Sequence, residues 1–476
     1  MRLLYVSTEV YPALKTGGLA DVNAALPPAL RAAGADVRLL LPAFPKLVAA
    51  SAGIERVAAL APAFGASPVA LLRATLRDVP VYLIDAPAFY DRPGNPYLGP
   101  DGRDWPDNHR RFALLGQIAA RFADGSFDGW RPDIVHAHDW HAALAPAYLA
   151  ARGGERPGTV FTVHNLAFHG QFPPATFAEL QLPAHFFAVQ GLEFYGSVNF
   201  MKAGLYFADR LTTVSPTYAR EIQTPEQGAG MDGLLRARAG ALSGILNGVD
   251  PHEWNPAVDP RILARYSAAN VDGKRACKRA LQDALGLSAA ATGPLFGVVS
   301  RLTTQKGLDL LASALPELVG SGAQLALLGA GDPAIERGFV AAAAAHPASI
   351  AVRLGYDEDL AHRIVAGADV IVVPSRFEPC GLTQLYGLAY GTLPLVRRVG
   401  GLADTVVDAT ASAGTGFVFG PASVDAMRAA LARVLDTWAQ PPAWAALQQR
   451  AMHADFGWQA SAARYLALYR DLRPSA

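Results

Sequence analysis

The feature that most constrains this chain is an alternation that runs through it twice. Short apolar runs at residues 3–7, 37–41, 79–84, 134–137, 160–163, 211–214 and 243–246 read as buried strands. Amphipathic stretches lie between several of them, at 21–33 (ending at Gly34) and at 108–122. Strands joined through helices pair in parallel, and the helices then cover both faces of the sheet. The alternation breaks at Asp250-Pro251-His252-Glu253-Trp254-Asn255-Pro256 and then restarts. Later strands are predicted at 295–299, 325–328, 350–354, 370–373 and 393–396, with helices at 273–285, 307–319, 357–366, 381–390 and 424–438. An α/β chain of two doubly wound halves, joined near residues 248–260, is the economical reading. The expected domains are 1–248 and 249–455. A last segment, 456–476, contains a helical stretch to residue 472 that is expected to cross back to the first half. Ligands of such sheets lie at the carboxyl ends of the strands, so the expected site is the cleft between the halves.

Composition narrows the function. Lys+Arg and Asp+Glu are 41 each, which removes the basic surplus of a nucleic-acid binder. Hydrophobic residues make up 51%, enough for a large core, and no apolar run approaches the roughly 18 residues of a membrane span. The start turns polar at Ser7-Thr8-Glu9, too early for a signal peptide. Two cysteines, Cys277 and Cys380, make no disulfide framework, and a cytoplasmic location is expected.

Five segments carry candidate chemistry. Lys15-Thr16-Gly17-Gly18-Leu19-Ala20-Asp21 follows the first strand and opens a helix. Glycines admit close backbone approach, a helix start favours anions, and Lys15 adds a point charge; a bare tight turn is the competing reading. Ser300-Arg301-Leu302-Thr303-Thr304-Gln305-Lys306-Gly307 repeats the arrangement, with Arg301 and Lys306 beside a helix start that suits a diphosphate. His136-Ala137-His138-Asp139-Trp140-His141 ends a strand. The spacing is not that of a metal helix, so Asp139 is read as an acceptor for sugar hydroxyls and some of the histidines as packing. His164 and Asn165 end the next strand, where His164 is either structural or functional. Arg376-Phe377-Glu378-Pro379-Cys380-Gly381-Leu382-Thr383 follows the strand at 370–373. Its helix is expected to begin near Gly381, aiming the amides of Gly381, Leu382 and Thr383, with the Thr383 hydroxyl, at a phosphate. Glu378 just before them can accept sugar hydroxyls or steady a developing cation. Cys380 has no basic neighbour in sequence to make it a nucleophile. Asp357-Glu358-Asp359 looks like a D-x-D metal motif but opens a helix, so it is read as a cap. Tyr356 before it is placed to stack on a base.

These segments, with Asn247-Gly248-Val249-Asp250, resemble the bacterial and plant glycogen (starch) synthases, which are retaining glycosyltransferases of the GT-B fold. The matching pieces run in order from residue 7 to 401. The resemblance implies transfer of glucose from ADP-glucose to the non-reducing end of an α-1,4-glucan such as glycogen, with no metal, nucleic-acid or membrane partner. It implies Lys15, Gly18, Arg301, Lys306, Gly381, Leu382 and Thr383 on the donor phosphates. Asp139, His164, Asn165, Asn247, Glu378 and Cys380 fall around the glucose, and Tyr356 near the adenine. The wider retaining GT-B pattern has a second Glu eight positions after the first; here Tyr386 stands there, as in the glycogen and starch synthase branch, and the ribose contact stays unassigned.

The chemistry fits these groups. Loss of a nucleoside diphosphate leaves cationic character on the sugar and negative charge on phosphate, which a carboxylate and fixed cations stabilise. Same-face attack is favoured over double displacement, because the leaving phosphate can deprotonate the incoming hydroxyl. A phosphorylase-type enzyme would need a pyridoxal lysine and a far longer chain. A sugar-nucleotide epimerase would need no acceptor groove. A binding protein without activity would be expected to have lost Glu378, Lys15 or Lys306.

Overall fold

The computed structural model describes residues 1–472. It forms two compact units: Met1–Gly248 joined by the final helix Trp458–Leu472, and Val249–Gly457. Residues 473–476 of the expected C-terminal segment lie outside the described residues.

In chain order the strands of the first unit are β1 (Arg2–Val6), β2 (Asp36–Pro42), β3 (Ala52–Leu60), β4 (Val69–Leu76), β5 (Val79–Asp85), β6 (Ile134–His138), β7 (Gly158–Val163), β8 (Gln171–Phe172), β9 (Glu193–Phe194), β10 (Ser197–Asn199), β11 (Arg210–Thr213) and β12 (Leu242–Gly244). Nine of them make one sheet in the order β12-β11-β7-β6-β1-β2-β5-β4-β3, and β8-β10-β9 make a small second sheet. The large sheet is parallel from β12 to β5. The β3–β4–β5 edge is antiparallel; the strand expected at 79–84 is β5, while β3, largely exposed and without apolar alternation, and β4 beside it were not foreseen. Leu3, Leu4, Tyr5 and Val6 are fully buried, as a strand covered on both faces requires. The final helix packs on this unit: Tyr469 Oη lies 2.7 Å from His136 Nδ1, and Ser461 Oγ donates to the Leu246 carbonyl at 2.5 Å.

The second unit holds β13 (Leu295–Val299), β14 (Gln324–Gly329), β15 (Ile350–Leu354), β16 (Val370–Val373), β17 (Leu393–Arg397) and β18 (Phe417–Phe419). They form a parallel sheet in the order β15-β14-β13-β16-β17-β18. The helix expected over 307–319 is two helices, Leu308–Ala312 and Leu315–Gly320. Pro316 explains the break: it has no N–H to donate, which suits only the first turn of a helix. Among the described residues no helix is long and apolar enough to cross a membrane.

Candidate active site

Each sheet reverses its strand order at one point, and most of the candidate residues follow the strands at that reversal, whereas Asn247 and Tyr356 follow edge strands. In the first unit β2 lies on one side of β1 and β6 on the other. Loops leaving the carboxyl ends of β1 and β6 therefore diverge, and the gap is a ready ligand position. Ser7-Thr8-Glu9 continues from β1, and Asp139 follows β6. Asp139 has a φ of 57°, a left-handed conformation that Asp tolerates better than most residues. The turn directs its Oδ1 at the amides of His164 (2.7 Å) and Asn165 (3.4 Å), just past β7. Burial pushes the Asp139 carboxyl up to about 7; the two amides oppose the shift and the Glu9 charge adds to it. His164 Nε2 lies 2.9 Å from His138 Nδ1, and burial holds His164 down at about 3, so this imidazole is neutral. His136 is spent on Tyr469 and on Thr162 Oγ1 at 2.6 Å. Asp139, His164 and Asn165 are thus one cluster. Asn247 is buried beyond the edge strand β12.

A second cluster in this unit was not foreseen as a unit. Glu9 is buried and accepts from the Thr16 amide (2.5 Å), Thr16 Oγ1 (2.8 Å) and Tyr97 Oη (2.7 Å). Burial raises its pKa above the ordinary carboxylate value in spite of these bonds. Tyr97 stacks on His141 with the rings 10° apart. A Ser-Thr-Glu run at the carboxyl end of a strand was the available signal for Glu9; Tyr97 comes from a loop that shows no pattern. Lys15 pairs with Asp21 at 3.0 Å and lies over the Tyr11 ring. The helix begins at Gly18, three residues before the expected start. A Cβ at Gly17 would meet nothing within 4 Å, so the protein's own packing does not demand glycine there, and the backbone is open to approach.

In the second unit the reversal falls at β13, with β14 on one side and β16 on the other. Lys306 belongs to the loop after β13 and Glu378 to the loop after β16. Their Nζ and Oε2 are 2.6 Å apart, and Ser375 Oγ donates to the same oxygen at 2.7 Å. Glu378 is 6% exposed, so this is a largely desolvated, charge-assisted contact. The loops are tied together by the Arg376 amide donating to the Gln305 carbonyl (2.8 Å) and by the Arg376 guanidinium gripping Asp309 at 2.6 and 2.7 Å. Behind Glu378, a Cβ on Gly400 would fall 1.8 Å from the Glu378 carbonyl oxygen and one on Gly401 2.3 Å from that of Cys380. Only glycine fits, and that contact fixes the 378–380 backbone.

Some expectations need correction. The helix after this loop is Thr383–Ala389, not one starting near Gly381. Gly381 has a φ of +74°, and Leu382 is the capping residue. The unpartnered amides of the first turn therefore start later than foreseen, and Gly381 turns the chain. Gln384, which the sequence reading missed, holds that turn by donating to the carbonyls of Cys380 (3.1 Å) and Gly381 (2.8 Å). Cys380 is buried. Arg301 is exposed, and Tyr356, beyond the edge strand β15, is 71% exposed. Asp357 caps its helix by accepting from the Leu360 amide at 2.9 Å. Among the described residues no group of three or more His, Cys, Asp or Glu is arranged to hold a metal ion.

Comparison with known proteins places these clusters in context. The family model for the starch synthase catalytic domain matches residues 2–237, and that for glycosyl transferases group 1 matches residues 287–450. The chain is 55% identical to a glycogen synthase of Albidiferax ferrireducens, covering 100% of both chains. It is 52% identical to a glycogen synthase of Francisella tularensis subsp. novicida, covering 99% of both. The catalytic domain of starch synthase IV from Arabidopsis thaliana, solved bound to ADP and acarbose, matches with a TM-score of 0.90 and 32% identity over 99% of each chain.

Proposed function

Because the chain belongs to the bacterial and plant glycogen (starch) synthase family of GT-B glycosyltransferases, we propose that it transfers glucose from ADP-glucose to the non-reducing end of an α-1,4-glucan, with retention of anomeric configuration. The observation that carries the reading is the Lys306–Glu378 pair at the strand reversal of the second unit. A cation and a carboxylate held 2.6 Å apart can serve the two charges that glycosyl transfer creates. Lys306, with Lys15 and Arg301, takes the charge that builds on the departing diphosphate. Glu378 faces the cationic sugar carbon. Asp139 accepts from glucose hydroxyls, with neutral His164, Asn165, Asn247 and the Cys380 backbone lining the sugar. Gly18 and the Gly381–Thr383 turn complete the phosphate contacts, and Tyr356 stacks on the adenine.

The starch synthase IV of Arabidopsis was solved with ADP and acarbose, which supports an ADP-bearing donor here. Same-face attack requires no covalent carboxylate intermediate: the leaving phosphate takes the proton of the incoming hydroxyl as the new bond forms. No metal is assigned, since the lysines and Arg301 supply the positive charge that a metal would otherwise bring. The test is transfer of radiolabelled glucose to glycogen from ADP-glucose and from UDP-glucose. The reading expects efficient incorporation from ADP-glucose in α-1,4 linkage. Release of free glucose without polymer label, or a preference for UDP-glucose, would overturn it.

A further inference from the structure

Packing does not account for every histidine at the end of β6. His138, the last residue of that strand, is fully buried, and its ring lies flat on that of Tyr5 at 3.9 Å and 25°. Burial, aided by His136, His164 and His141, holds its pKa well below the ordinary value. The ring is therefore neutral and carries one proton, on one of its two nitrogens. His138 Nδ1 lies 2.9 Å from His164 Nε2. His138 Nε2 is buried and has no hydrogen-bond partner. His164, just past β7, is half-buried, and its Nδ1 meets no protein partner among the described residues.

Two neutral rings can make this contact in two ways. In the first, His164 Nε2 donates to His138 Nδ1. The His138 proton then falls on Nε2, a buried N–H with no acceptor. In the second, His138 Nδ1 donates to His164 Nε2. His138 Nε2 is then a bare lone pair, and His164 carries its own proton on Nδ1. A buried N–H without an acceptor forfeits its hydration outright, whereas C–H groups can lie against an imidazole lone pair. The second arrangement is favoured, and it leaves His164 with an N–H on the nitrogen that the protein does not use.

We propose that His138 is a positioning residue for recognition of the donor sugar, keeping His164 as the Nδ1–H tautomer so that it meets the glucose as a hydrogen-bond donor. The proposal rests on the assignment of His164 to the sugar. The grip on His164 is double: Asp139 accepts from its amide at 2.7 Å, and the preceding residue, His138, holds its ring. A partner at one imidazole nitrogen decides which nitrogen is protonated, as it does for histidines that bind metals. Asp139 and His164 then offer an acceptor and a donor from one cluster, and a sugar hydroxyl can use both. His164, held down at about 3, keeps this proton throughout turnover, so the N–H recognises the sugar and transfers nothing.

The experiment combines NMR of histidine-selectively ¹⁵N-labelled protein, which reads the protonated nitrogen of each ring, with kinetics on ADP-glucose and glycogen and calorimetry of ADP. The His164 signal is identified by its loss in His164→Asn. Wild type is expected to show His164 neutral and protonated on Nδ1. His138→Phe keeps a flat ring against Tyr5 but cannot donate; the His164 proton should move to Nε2, and kcat/KM for ADP-glucose should fall about tenfold, or about 1.4 kcal/mol. ADP carries no glucose, so its affinity should change by less than about twofold. His138→Asn, whose amide nitrogen can take the place of Nδ1, should restore the Nδ1–H form and most of kcat/KM. A wild-type His164 protonated on Nε2 would overturn the proposal. So would an unchanged kcat/KM in His138→Phe, an equal loss of ADP affinity there, or a His138→Asn as impaired as His138→Phe. If His138→Phe does not fold, His138→Gln, whose amide reaches toward the Nε2 position instead, carries the same expectation and the same refutation. Wild type that transferred no glucose from ADP-glucose would instead refute the donor assignment itself.

Discussion

Replacing Asp139 with Asn should make the protein more stable and less active, and the gain should depend on pH. The Asp139 carboxyl has an ordinary value of 3.8 and is pushed up to about 7, chiefly by burial. Between those values the native state holds a proton that the unfolded chain has released. Stability therefore falls as pH rises through the window, and above about 7 the whole penalty is present. Three pH units at about 1.4 kcal/mol each bound the penalty at about 4 kcal/mol. Relaxation and water entry reduce this, and about 2 kcal/mol is a working figure. Asn keeps an Oδ1 for the His164 and Asn165 amides but carries no charge. At pH 8 a gain of about 2 kcal/mol raises the melting temperature of a domain this size by roughly 4–8 °C. At pH 5 only the part of the window above 3.8 has been crossed, so the gain should shrink to about a third. Transfer should fall about 10- to 100-fold through loss of a charged acceptor for the sugar hydroxyls. Thermal melts of both proteins at pH 5 and pH 8, with glucosyl transfer at pH 8, measure all of this. An Asn variant less stable than wild type at pH 8, or a gain equal at both pH values, would refute the argument.

Other perturbations have plain outcomes. Glu378→Gln should lower turnover by about 10²–10³-fold while ADP affinity changes little, because the carboxylate acts mainly on the developing cation; near-normal kcat would remove it from that role. Cys380→Ser should retain appreciable transfer, since neither retaining scheme needs a thiolate, and isolation of a glucosyl–cysteine adduct would contradict this. EDTA should leave initial rates of transfer unchanged; loss of activity restored by added Mn²⁺ or Mg²⁺ would require a metal that the assignment omits.

Legibility in the sequence followed burial. The strands β1, β6, β7, β13 and β16 are buried along nearly their whole length, and the sequence places each within one or two residues of its observed ends. The edge strand β3 was missed because an exposed strand needs no continuous apolar run, and β4, paired between it and β5, was missed although it is mostly buried. The residues now grouped as candidate sites were legible where they sit at the ends of buried strands, as Asp139, His164, Lys306 and Glu378 do. What could not be read was pairing. No spacing rule joins Lys306 to Glu378 across 72 residues, or Glu9 to Tyr97 across 88.

The two units treat buried charge in different ways, and the difference fits their assigned tasks. In the first unit Asp139 is buried without a cationic partner among its hydrogen-bonding contacts, and its charge is disfavoured. An acceptor for neutral sugar hydroxyls can work under that condition, because bound hydroxyls return the hydrogen bonds that burial removed. In the second unit Glu378 is equally buried but meets Lys306 at 2.6 Å and Ser375 at 2.7 Å. A buried ion pair contributes little net stability, since desolvation offsets most of the attraction, yet removing one member leaves the other charge stranded. Such a pair is poorly explained as a staple for the fold. It is well explained if both charges are required at once, the cation by a departing diphosphate and the carboxylate by the sugar carbon it leaves. On this argument replacing both Lys306 and Glu378 with apolar residues of similar volume would disturb stability little and abolish transfer, whereas replacing either one alone would damage both.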